Sequence, residues 1–184
     1  MGSGLRYSPL KWFKDKRTFT FGGDKMTAGV GITSGTGTIC KHSVTRVDGI
    51  FKTEILINLT GLNGCGANSD IIGVDGGTVN CHIGQITTAV NGRIIAGWIE
   101  CHEAPAGGNA DINLYSAPEG TGAQDSGIAD LTETALCDCG AHSAGTTDVL
   151  TGWPAADEYL YLTVGTFTDA DYTAGRLLIT LWGY

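Results

Sequence analysis

Val44 to Leu62 reads VTRVDGIFKTEILINLTGL, two β-branched and apolar runs joined through Asp48-Gly49. Asp-Gly accepts the positive φ values of a type I′ turn, so the runs should fold back as an antiparallel hairpin. That stretch sets an all-β expectation, and neighbouring runs extend it. Strand-like segments recur at Thr38–Val47, Ile50–Leu59, Asp70–Val74, Cys81–Val90, Arg93–Cys101 and Asp111–Tyr115. A second hairpin is expected where Asn91-Gly92 joins HIGQITTAV to RIIAGWIE. A third pair, Tyr159–Val164 and Arg176–Trp182, flanks the turn-rich insert GTFTDADYTAG, and the C-terminus should lie in or beside a sheet.

Composition agrees. The 184 residues suit one domain, or one domain with an arm, that buries about two-thirds of its unfolded surface. Twenty-nine glycines against four prolines, with 42% apolar residues, indicate tight turns between short strands rather than disorder. The best helix candidate is only Ile128–Leu136, and 104–154 reads as a long loop system. The pattern implies a jelly-roll or related β-sandwich or barrel over residues 34–184, preceded by an extended arm over 1–33 with one short strand at Arg17–Phe21.

Charge is segregated. Residues 1–25 hold six basic and two acidic side chains, a balance of +4; the remainder holds five basic and 17 acidic, a balance of −12. Beyond Lys52 only Arg93 and Arg176 are basic, which argues against a nucleic-acid surface on the body, because phosphate contacts need clustered cations. No stretch approaches the ~18 consecutive apolar residues of a membrane span, and no apolar leader follows the N-terminus, so no membrane partner is expected. Without a leader, the six cysteines are expected as reduced thiols.

Several motifs invite chemistry and are set aside. Cys137-x-Cys139-x2-His142, with Cys81-His82 and Cys101-His102, offers zinc-type ligands, but the spacing misses the usual C-x2-C. Buried thiols with partly exposed imidazoles are expected, and no metal. Ala141-His142-Ser143-Ala144-Gly145 resembles a nucleophile elbow without its strand-to-helix context. Gly29-Val-Gly31-Ile-Thr-Ser-Gly35 is a near miss of the dinucleotide fingerprint. Asp169 and Asp171 lack an EF-hand, the carboxylates Glu100, Glu103, Asp157 and Glu158 are not paired by sequence alone, and the Asn58-Leu59-Thr60 sequon carries no expectation. No catalytic constellation and no cofactor are expected.

The segment that asks for a partner is the basic, aromatic N-terminus: Arg6, Lys11, Trp12, Phe13, Lys14, Lys16 and Arg17. A Trp-Phe pair beside lysines is costly in a free tail and fits docking on protein.

DGIFKTEILINLTGL, the following SDIIG, CHIGQITTAVNGRIIAGWIECHEAP, and the closing WPAADEYLYLTVG and YTAGRLLITLWGY, which span Val44 to Tyr184, resemble a family of virion structural proteins of tailed, podovirus-like bacteriophages from marine and aquatic hosts. The resemblance implies a non-enzymatic capsid decoration or cement protein, made in the host cytoplasm and seated on the outer surface of the head. It also implies a homotrimer that bridges subunits of the major capsid protein. The alternative is a surface-adhesion or carbohydrate-binding module using Trp98, Trp153 and Tyr172.

Overall fold

A computed structural model describes residues 26–64 and 66–184. Its first hairpin is the expected one. β1 (Ile39–Val47) and β2 (Ile50–Asn58) pair in unbroken register from Ile39↔Asn58 to Val47↔Ile50. Asp48 and Gly49 take φ values of 51° and 86°, the geometry a type I′ turn requires. Along β2 the alternation is literal: Thr53, Ile55 and Ile57 are buried, while Lys52, Glu54 and Leu56 are half-exposed.

Seven further strands follow: β3 (Gly84–Gln85), β4 (Ile94–Ala106), β5 (Ile112–Ala117), β6 (Thr134–Cys137), β7 (Thr147–Val149), β8 (Tyr159–Val164) and β9 (Ala174–Gly183). They form two antiparallel sheets, ordered β1-β2-β9-β4-β7 and β3-β8-β5-β6. The pairing is nested: β2 with β9, β3 with β8, β4 with β7 and β5 with β6, each pair enclosed in sequence by the one before. The core lies between the sheets. In the first sheet Ile55, Ile179 and Ile99 stand in one cross-strand row, all fully buried. Ile112, Leu114, Leu160, Leu162 and Val164 come from the second. Each such side chain contributes about 1.5–3 kcal/mol by leaving water.

The structure redraws several expectations. Asn91-Gly92 does not turn a hairpin; it ends a short helix, α2 (Thr88–Asn91), after which β4 pairs with β9 and β7. Asn91 is buried, its Oδ1 accepting from Thr87 N at 2.9 Å and its Nδ2 donating to Thr53 Oγ1 at 2.9 Å, so its polar groups stitch the helix to β2. Nor do the last two runs pair. β8 and β9 are interior strands of opposite sheets, because each carries apolar side chains that the other sheet must cover. Asp70–Val74 shrinks to isolated bridges and hydrogen bonds beside Leu162–Val164. The helix candidate becomes a 3₁₀ turn at Ile128–Asp130 followed by β6, and 104–154 contains β6 and β7.

The expected arm reached residue 33, yet its end packs as body. Gly29 N donates to His82 O at 2.8 Å, and Ile32 in the short helix α1 (Val30–Thr33) is fully buried. A Cβ on Gly29 would strike Asn80 O and one on Gly31 the Cys81 sulfur. These glycines serve close chain packing, not a phosphate. The expected strand at Arg17–Phe21 lies outside the described residues.

Candidate functional site

Two places concentrate chemistry. The first is the outer face of the five-stranded sheet. Trp98 on β4 and Trp182 on β9 tilt together with ring centroids 6.5 Å apart, and Trp98 Nε1 donates to Glu100 Oε2 at 3.1 Å. Lys52 Nζ lies 5.9 Å from the Trp182 ring and 2.5 Å from Glu54 Oε1. Leu56 and Leu178 fill the middle of the face, and Arg176 meets Glu103 at 3.7 Å. Thr180, paired with both Trp98 and Glu54, is left only 1% exposed.

The five-stranded sheet also collects the cations. Among the described residues, Lys41 and Arg46 lie on β1, Lys52 on β2 and Arg176 on β9; Arg93 immediately precedes β4. The strands of the four-stranded sheet hold neither lysine or arginine nor aspartate or glutamate. The described cations of the body therefore all lie on or beside the five-stranded sheet.

The second place is where the chain passes from β6 to β7. Cys137 closes β6, Cys139 and His142 follow, and Asp148 is the central residue of β7. Cys137 and Cys139 form a disulfide, with Cα atoms 5.3 Å apart, where reduced thiols were expected. His142 is 3% exposed, against the expected partly exposed imidazole, because it is pinned under β5. Its Nε2 donates to Ile112 O at 2.9 Å and its Nδ1 faces Asp148 Oδ2 at 3.4 Å. Cys139 Sγ, a His142 ring nitrogen and an Asp148 oxygen all lie within 4.8 Å of one another. The sequence signalled three of these four residues; Asp148 was missed, since only the crossing between sheets brings it close.

The other candidates are structural. Cys81 and Cys101 are buried and Cys40 is partly so; burial pushes the Cys40 thiol up to about 12 and the Cys81 thiol up to about 11, which makes both poor nucleophiles. Ser143 is exposed in a turn closed by Thr146 Oγ1 onto Ser143 O, and the neighbouring imidazole points inward, away from an elbow's role. Glu100 and Glu103 serve Trp98 and Arg176, and Glu158 accepts from Ser116 Oγ at 2.7 Å and Ala155 N at 2.8 Å. Asp171 accepts from Asn63. Asn58 Oδ1 accepts from Thr60 N and Oγ1. Of the aromatics considered for sugar stacking, Trp153 is exposed and Trp98 half-buried, but Tyr172 is a core residue whose hydroxyl donates to Asn109 O at 2.8 Å. Arg6, Lys11, Trp12, Phe13, Lys14, Lys16 and Arg17 lie outside the described residues.

Comparison with protein-family models, with curated proteins and with solved structures finds no match to the chain.

Proposed function

We propose that this protein is a non-enzymatic capsid decoration protein of a tailed bacteriophage. On this reading residues 1–25 grip the major capsid protein on the outside of the head while the sandwich packs with its own copies as a trimer. The observation that carries it is the separation of charge: +4 in residues 1–25, −12 in the rest, with the body's cations gathered on or beside one sheet. Opposite charge sets encounter and register between partners. On this reading copies meet through the outer face of the five-stranded sheet, where Lys52, Glu54, Arg176 and Glu103 offer both signs around Trp98 and Trp182. The resemblance of Val44–Tyr184 to phage virion proteins supports the same reading.

The strand order supports a jelly-roll assignment. Eight strands in nested pairs, split as β2-β9-β4-β7 and β3-β8-β5-β6, have the double Greek-key connectivity of that architecture, with β1 added at one edge. Viral capsid domains and lectins both use it, so topology alone does not choose between decoration and sugar binding.

Head-binding assays make the choice. The full chain should co-sediment with purified heads, and a chain starting at Met26 should stay folded and oligomeric but no longer bind. Binding by the shortened chain would overturn the role given to residues 1–25. Failure of the full chain to bind heads, together with a specific glycan-array hit lost on Trp153→Ala, would shift the protein to the adhesion class.

A further inference from the structure

The Cys137–Asp148 cluster is built in a way that neither the fold nor the proposed function explains. Ile112 O can only accept, so His142 Nε2 carries the ring's proton in the neutral imidazole and Nδ1 presents a lone pair. That Nδ1 is buried, has no hydrogen-bond partner, and stands 3.4 Å from a carboxylate oxygen. Two electron-pair donors aimed at each other, the imidazole buried and the carboxylate 30% exposed, leave room for a cation between them. Asp138 and Asp111, whose backbone bridges Ala141, add negative charge nearby.

The sulfurs complete the set. Cys137 and Cys139 are two residues apart with Cα atoms 5.3 Å apart, and the bond between them holds the Cys137 sulfur beside that of Cys139. Ligands on a tetrahedral zinc ion stand about 3.3–3.8 Å apart, given metal–ligand bonds of about 2.0–2.3 Å. The 3.4 Å between His142 and Asp148 falls in that range, and Cys139 lies within 4.8 Å of both.

We propose that, once its disulfide is reduced, the chain binds one zinc ion through Cys137, Cys139, His142 and Asp148. A dithiol is the co-reactant: it is oxidised to its own disulfide and delivers two electrons and two protons, giving two cysteine thiols. Zinc then takes both sulfurs as thiolates and two protons are released. Two thiolates favour zinc over magnesium or calcium, and Ile112 O fixes the imidazole tautomer as an outer partner of a zinc-bound histidine does. Four protein ligands close the site, which makes it structural. The ion would tie β6 of one sheet to β7 of the other, where β7 is only three residues long. Disulfide and zinc are thus two alternative locks on one crossing. The inference does not depend on the capsid reading.

Cobalt(II) tests it on the full chain. The protein is reduced with a dithiol, freed of it under nitrogen, and titrated with Co²⁺ and then Zn²⁺. One equivalent of cobalt should produce a thiolate charge-transfer band and the intense visible bands of a tetrahedral site, and one equivalent of zinc should abolish both. Oxidised protein should show neither. Asp148→Asn should weaken zinc binding about tenfold or more, and Cys139→Ser should remove the charge-transfer band. In the unmutated protein, zinc should also protect Cys137 and Cys139 from alkylation, which keeps the test decisive if a variant misfolds. No uptake by reduced protein, bands without thiolate character, or protection mapping to other cysteines would overturn the proposal.

Discussion

Ile179 is the residue on which both neighbours of β9 close, Ile55 from β2 and Ile99 from β4, and all three are fully buried. Ile179→Ala should therefore cost about 2–5 kcal/mol, read as a lowered urea midpoint with the denaturant slope unchanged. Titratable residues behave less uniformly. His42 and His82 are both held below the ordinary 6.5, chiefly by burial; the charge of His42 adds to the effect on His82 and the hydrogen bond to Ile83 O opposes it on His42. The unfolded chain then takes up more protons as pH falls below 6.5, so stability falls with it. Asp70 and Asp111, raised by burial first of all, act in the opposite sense but only in the carboxylate range. Melting temperature should thus drop between neutral pH and the low end of the histidine window, and the drop should shrink in a His42→Gln, His82→Gln variant. An equal drop in that variant would assign it to other groups.

At the scale of elements, turn chemistry succeeds where the turn has no competitor. Gly49 has nothing within 4 Å of the site a Cβ would take, so Gly49→Ala should cost about 1 kcal/mol from its φ of 86° alone, measured by thermal unfolding. Asn91-Gly92 carried an equally good signal and did something else, because Asn91 has Thr53 to donate to and helix α2 to close. Tyr161 shows how loops are sealed over the second sheet: its hydroxyl donates to Glu119 O at 2.6 Å and accepts from Gly122 N at 3.2 Å. Tyr161→Phe leaves both backbone groups short of a partner and should cost about 1–3 kcal/mol in the same measurement. β6 and β7, of four and three residues, were illegible since strands that short have no measurable period and are held by their neighbours.

For the whole molecule, charge is the property most open to experiment. With the body's cations on or beside one sheet, self-association through that face should weaken as salt is raised, whereas the sandwich itself, held by its apolar core, should barely change in stability. Sedimentation and melting in the same salt series separate the two. The sequence by itself determined the all-β class, the β1–β2 hairpin, the acidic body and the basic N-terminal segment, because alternation, turn conformation and net charge are local or additive properties. Only the tertiary structure decided that β8 and β9 part into opposite sheets, that Tyr172 and His142 are buried, and that Asp148 joins Cys137, Cys139 and His142. Those outcomes depend on which distant strands share a core, and a nested pairing brings together residues whose separation along the chain carries no trace of it.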